Sequence, residues 1–329
     1  MEEKPLYPIK FCTLRDEWSW GAEEYRLADL GWRDSLVKEG WLAGNSISEL
    51  MDTYIDKVVG EDVYDYYGRQ FPICVKYIEL DGDLPLVVHP DDTTAEERYD
   101  FLGKDKLWLV LECSPGSIIY SGFKKDCDAS ELFAACEEGT QDSLLCGIAP
   151  YKGMSLLIPS GTPHCASGKL KLLEISESSP MDFCLSGRGQ TVCTDEFDPA
   201  LSLTEALDII DYKASNPAVT KGNVLADIPQ FNIQRLELRQ SLKCNKSDFD
   251  SFILFVCESG RAQISLEQDG MKFDWSLERG ELLLIPAECG DFVAQGLVKD
   301  SSLLEITNLR KEKDSYINPS VAARLPEDE

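Results

Sequence analysis

Histidine is nearly absent from this 329-residue sequence: His89 and His164 are the only two. Any chemistry that needs an imidazole must therefore use one or both of them. Basic residues are scarce beside acids, 32 Lys and Arg against 59 Asp and Glu, which leaves a formal net charge of -27. Such a surface repels nucleic acid and anionic membranes, so neither is expected as a partner. No apolar run approaches the ~20 residues of a membrane span. The opening MEEKPLYPIKFC places two acids and a proline where a signal peptide needs basic residues and then an apolar run. The expectation is a soluble, cytoplasmic protein. No CxxC pair occurs among the twelve cysteines, and Cys74, Cys113 and Cys257 sit inside apolar strand-like runs. This is the pattern of small core hydrophobes in a reducing compartment rather than of a short secreted disulfide scaffold.

What is present is enough for about two globular domains, at roughly 150 residues each. The clear amphipathic helix is SISELMDTYIDKVV, residues 46–59, with Ile47, Leu50, Met51, Tyr54, Ile55 and Val58 at three- and four-residue spacing. Ser46 and Glu49 form its capping box. From residue 71 the texture becomes short β-like runs bounded by Gly, Pro and Asp: FPICVKYIEL, LPLVVH, KLWLVLEC and SIIYSGF. A helical insertion is expected over DASELFAACEEG and TQDSLLCGI, followed by strands in MSLLIP, LKLLEI and MDFCLS. Residues 191–229 read as a linker carrying one helix, LSLTEALDIIDY. Strands return in FNIQRLEL, SFILFVC, RAQISLE, KFDWSLE, ELLLIP and SLLEIT, and a polar tail closes the chain.

GMSLLIPSGTPH from Gly153 and GELLLIPAECGD from Gly280 share a Gly, five residues, then a Pro. They read as an internal repeat, in which Gly permits the turn into a buried strand and Pro ends it. Gly153, Pro159, Gly161 and His164 resemble the second motif of the cupins. In the later copy Glu288 and Asp291 stand at the Gly and His positions, so that half is expected to be structural and metal-free. The resemblance implies a mainly β fold: two tandem cupin-type barrels (double-stranded β-helix) with a small helical subdomain from residues near 40–68 and 126–148. The expected division is 1–190 for the site-bearing barrel, 191–229 for the linker, 230–310 for the degenerate barrel and 311–329 for the tail.

FPICVKYIEL, DLPLVVHPDD, GKDKLW, SPGSIIYSGF, IPSGTPH and LLEISESS follow one another in the order and spacing of class I mannose-6-phosphate isomerases. The resemblance runs from Trp20-Gly21 into the C-terminal half and is densest between residues 71 and 185. It implies an aldose–ketose isomerase acting on a hexose phosphate, with zinc or another divalent metal as cofactor. By that resemblance His89 and His164 match two of four metal ligands, and neutral imidazole suits zinc. Glu174 and Lys104 match groups at the proton-transfer step, and Lys76 and Lys104 match lysines that bind phosphate or assist.

Several positions depart from the pattern. Val87 stands at a ligand Gln, Lys106 at a ligand Glu, Cys184 at the catalytic Arg and Pro85 at a phosphate-binding Ser. An ammonium 4 Å from a dication, at an effective dielectric near 20, opposes it by about 8 kcal/mol. Lys106 is thus expected to stand in electrostatically for the metal and, with Lys76 and Lys104, to form a local anion site. Glu174 or Asp92 could complete a metal shell, but no spacing argument supplies either. A shell rebuilt with Cys165 or Cys184 is disfavoured, because a strand neighbour of His164 points to the opposite face. The two readings are an isomerase with an eroded metal site and a non-catalytic sugar-phosphate-binding or regulatory protein.

Overall fold

The computed structural model describes residues 4–188, 199–246, 250–268 and 271–308. Within them the chain is mainly β, with antiparallel sheets and six α-helices. The polar tail, residues 189–190 and residues 191–198 of the expected linker lie outside the described residues. The chain divides into two compact units, one from the described parts of Leu14–Tyr25 and Ile73–Lys221, the other from those of Met1–Thr13, Arg26–Pro72 and Gly222–Glu329. The units interleave along the sequence, unlike the linear boundaries expected from it. The reason is local pairing: Ile9 bridges Leu284, and Ala287 N–H donates to the Val58 carbonyl, so segments before residue 72 pack with the C-terminal strands.

The first unit holds β1 (Leu14–Trp18), β2 (Gly21–Leu27), β3 (Ile73–Asp83), β4 (Leu86–Val88), β5 (Lys106–Cys113), β6 (Ile118–Phe123), β7 (Leu145–Ile148), β8 (Ser155–Ile158), β9 (His164–Glu177), β10 (Phe183–Ser186) and β11 (Ala218–Thr220). The sheet runs β1-β2-β3-β9-β5-β8-β11, with β4 and β6 also on β9. β9 is its organiser, 14 residues long and paired with β3, β4, β5 and β6. Alternation along β9 buries Leu170 and Leu172 and sends Lys169 and Lys171 outward. Across the ladder Leu80 faces Leu170, and Ile78 and Val110 face Leu172. These five belong to one apolar core cluster. Two residues further along the same face the row turns polar, with Lys76 and Trp108 on either side of Glu174. Continuity with an apolar core is what fixes this polar row in place.

Two helical expectations change. The capping box at Ser46 and Glu49 forms, but the helix breaks at Ile55 (φ 52°) into Ile47–Tyr54 and Asp56–Val59. The redirected second segment buries Val58 and Val59. In TQDSLLCGI only Gln141–Ser143 is helical, as a 3-10 turn, and Leu145–Ile148 is β7 because β6 offers it a pairing edge. The helix Glu61–Tyr67 falls inside the helical subdomain expected near 40–68, whereas Asp92–Tyr99 was not expected from the sequence.

The second unit contains β12 (Val224–Asp227), β13 (Asn232–Glu237), β14 (Leu242–Cys244), β15 (Ile253–Ser259), β16 (Arg261–Gln268), β17 (Met271–Glu278), β18 (Leu282–Ile285), β19 (Phe292–Gly296) and β20 (Ser302–Thr307). They form a five-stranded sheet, β12-β13-β20-β15-β18, and a four-stranded one, β14-β19-β16-β17. Gly153 (φ 85°) and Gly280 (φ 86°) take the same left-handed conformation before β8 and β18, which is why both copies of the repeat begin with glycine. Glu288 and Asp291 serve structure here, accepting the backbone N–H groups of Leu6 and Lys246.

Candidate functional site

All six side chains singled out from the sequence lie in the first unit and are linked through one buried polar cluster. Lys76 leaves β3, Lys106 opens β5, Glu174 stands on β9 and His164 begins it. His89 follows β4, whose Val87 is paired directly with His164. Lys104 is held in the approach to β5 by its N–H, which donates to the Pro90 carbonyl. The imidazoles are fully buried, and Lys104, Lys106 and Glu174 are buried as well.

Glu174 is the hub. Its Oε2 accepts from Trp108 Nε1 at 2.6 Å and from Lys106 Nζ at 3.2 Å, while its Oε1 lies 3.3 Å from Lys76 Nζ. Lys76 also donates to Glu23 Oε1 at 2.5 Å. On the other side, Asp182 Oδ1 lies 2.9 Å from Lys104 Nζ and 2.6 Å from His89 Nε2. The Asp182 oxygen meets these partners inward, yet its side chain keeps 44% of its accessible surface, against 6% for Lys104 and none for His89. Asp182 therefore marks the solvent side of the cluster. Trp108, Glu23 and Asp182 were not identified from the sequence. Trp108 had a signal in the two-residue period from Lys106, whereas Asp182, outside any strand, had none.

The imidazoles pack against each other with centroids 4.7 Å apart, and His164 meets the edge of Trp108 at 5.4 Å. His164 Nδ1 lies 2.8 Å from the Thr162 carbonyl, which can only accept, so Nδ1 carries the proton and Nε2 a bare lone pair. That Nε2 is buried without a hydrogen-bond partner among the described residues, as is His89 Nδ1. His89 Nε2 also lacks one of good geometry despite its approach to Asp182, because the contact is off the ring N–H direction.

The electrostatics follow from burial and from the lysines. Burial and then Lys106 push His164 down to about 3, and the same two causes hold His89 well below its ordinary value against the pull of Asp182. Burial works against ionisation of Glu174, but Lys106, Lys76, Lys104 and the Trp108 N–H outweigh it and keep the carboxyl well below the usual range. Asp182 behaves alike: burial is outweighed by Lys104 and His89. Burial also disfavours the charge on Lys76, yet Glu174 and Glu23 carry it well above its ordinary value. Lys106 moves the other way, pulled down by burial with Glu174 and Asp182 opposing.

Among the described residues, no three His, Cys, Asp or Glu side chains stand together in a way that could hold a metal ion. The bare lone pair of His164 is what a metal ligand offers, but the Lys106 ammonium lies near enough to depress protonation of both imidazoles, and Glu174 is committed to two lysines and a tryptophan. This donor set does not fit a divalent metal. Asp92 accepts from the Gly103 N–H at 3.0 Å in its own loop. Cys165 and Cys184 are pushed up by burial to about 12 and about 11, so both are thiols rather than ligating thiolates.

Comparison with known proteins places this geometry in context. No family model matches the chain. The mannose-6-phosphate isomerase of Streptococcus mutans is 25% identical over 269 residues, 77% of this chain and 78% of that protein. Mannose-6-phosphate isomerase ManA of Bacillus subtilis is 24% identical over 272 residues, 80% of this chain and 82% of its own. Among solved structures, mannose 6-phosphate isomerase from Bacillus subtilis superposes with a TM-score of 0.74 at 19% identity, covering 92% of this chain and 99% of that one. A point variant of the Salmonella typhimurium phosphomannose isomerase gives 0.70 at 13% identity, over 92% and 100%. Motif order, sequence likeness over about four fifths of the chain and the shared fold agree: the chain is similar throughout to mannose-6-phosphate isomerases and shares their fold.

Proposed function

We propose that the first unit recognises a hexose phosphate at the cluster of His89, Lys104, Lys106, His164, Glu174 and Asp182, and that metal-dependent isomerisation there is weak or lost. The observation that carries this reading is the buried Lys106 ammonium, 3.2 Å from Glu174 and beside two imidazoles of which His89 Nδ1 and His164 Nε2 lack partners among the described residues. An orphaned buried imidazole is costly unless something polar meets it, and sugar hydroxyls can both donate and accept. Lys104, next to the solvent-facing Asp182, is the lysine best placed for the phosphate. Lys76, already shared between Glu23 and Glu174, is better placed to hold Glu174. Glu174 is ionised but a weak base, because three lysines and an indole N–H stabilise its anion, and a weak base removes a proton from a sugar carbon slowly.

The names of the relatives favour a second reading, an active aldose–ketose isomerase loaded with zinc or another divalent metal. Two measurements separate them. On the first reading mannose 6-phosphate raises the melting temperature, the rise survives EDTA, and Lys104→Met removes it. On the second, a coupled assay shows interconversion of mannose 6-phosphate and fructose 6-phosphate that EDTA abolishes. Chelator-sensitive turnover overturns the first reading, and so does the absence of a thermal shift with any hexose phosphate.

A further inference from the structure

The lysine-rich cluster is closed by a carboxylate from its own chain. Three ammonium groups, Lys76, Lys104 and Lys106, face three carboxylates, Glu23, Glu174 and Asp182, and with both imidazoles neutral the set carries no net charge. Two of these carboxylates are built in. Glu174 is buried on β9 with three donors, and Glu23 on β2 keeps 13% of its surface. Asp182 differs, with 44% of its side chain exposed and one oxygen, Oδ1, bridging Lys104 and His89.

Its backbone is pinned on both sides. Ser179 Oγ donates to the Leu102 carbonyl at 2.7 Å, Met181 N–H donates to Ser179 Oγ at 3.3 Å, Asp182 N–H donates to the Pro180 carbonyl at 3.0 Å, and Phe183 enters β10 in the apolar core. The carboxylate can therefore turn out to water by side-chain rotation alone, with the chain held still. Its departure leaves the cluster with a net charge of +1 and frees donors on Lys104, alongside the unpartnered His89 Nδ1 and His164 Nε2.

From this geometry we infer that Asp182 is an intrinsic occupant of a phosphate-monoester site, a carboxylate latch on Lys104, lying against His89, that an anionic ligand must displace. The inference rests on the reading that this site takes a phosphorylated ligand, and it adds that the free protein is self-inhibited for anion binding. A phosphate oxygen and the Asp182 Oδ1 compete for the Lys104 ammonium, so removing the carboxylate's charge strengthens phosphate binding, although it deletes a native ion pair.

The test uses inorganic phosphate as the probe, titrated calorimetrically into the full chain, so that it does not depend on recognition of the sugar. Asp182→Asn and Asp182→Ala are both measured, with circular dichroism establishing that each is folded. The expected result is phosphate binding at least ten-fold tighter than in the unmodified protein for both variants, returned to the unmodified level or below by Lys104→Met in the Asp182→Asn background. Binding that is unchanged, weaker or undetectable in the folded variants overturns the latch, and so does a gain that survives loss of Lys104. If the variants bind phosphate tightly and no hexose phosphate binds more tightly than phosphate, the latch stands and the hexose-phosphate reading fails.

Discussion

The ion pair between Lys106 and Glu174 should be a stabilising element whose partners depend on each other, and Lys106→Met tests this. Both side chains are almost completely buried, 4% and 3% exposed, with 3.2 Å between the charged atoms. At an effective dielectric near 20 that separation corresponds to about 5 kcal/mol of attraction, and removing one partner of a buried pair costs about 3–5 kcal/mol. Glu174 would keep Lys76 at 3.3 Å and the Trp108 N–H at 2.6 Å, which places the expected loss at the low end, about 3 kcal/mol. For a unit of this size that lowers the melting temperature by about 6–12 °C. Denaturant unfolding of the full chain, monitored by fluorescence and circular dichroism, reads the change. Lys106→Met/Glu174→Gln should cost at least about 2 kcal/mol less than the sum of its single substitutions, because the carboxylate no longer needs a counter-charge. A loss below about 1 kcal/mol for Lys106→Met, or strict additivity in the double variant, would refute the reasoning.

Trp108→Phe deletes the indole N–H that Glu174 accepts at 2.6 Å and should destabilise the chain by about 1.5–3 kcal/mol, a hydrogen bond to a charged group being involved; denaturation midpoints measure it. His164, held near 3, should show no imidazole titration between pH 5 and 8 by NMR. Because the unfolded chain takes up the proton near pH 6.5 and the folded chain does not, His164 should contribute a fall in stability of about 1.4 kcal/mol per unit as pH drops from there towards 4. Asp29, raised by burial to about 6, opposes that slope over the same range, so the comparison is made against His164→Asn. Val87→Gln with Lys106→Glu removes the ammonium and adds two donors beside the imidazoles; cobalt absorption should report metal binding gained before any turnover, and unchanged affinity counts against the motif alignment.

Much of the strand content was legible because buried strands carry short apolar runs bounded by turn residues, and KLWLVLEC and SLLEIT fall on Lys106–Cys113 and Ser302–Thr307. The repeat was legible because a left-handed residue before each strand demands glycine at 153 and 280. Leu145–Ile148 was misread as helix because its strand character comes from the β6 edge, a tertiary partner that local sequence does not reveal. The six site residues could be named because they fall on motif positions of the family the sequence resembles, which a lone strand pattern would not have singled out. Asp182 and Glu23 escaped because their roles depend on positions across the unit from Lys104 and Lys76, 78 and 53 residues away along the chain.

The central claim is that an ammonium fills the place of a cation in this cluster. Metal content of the full chain, purified without chelator and then dialysed against zinc, tests it most directly by elemental analysis. Far less than one ion per chain, unaffected by His164→Ala, is the predicted result. One tightly held zinc per chain, lost in His164→Ala, would contradict the account.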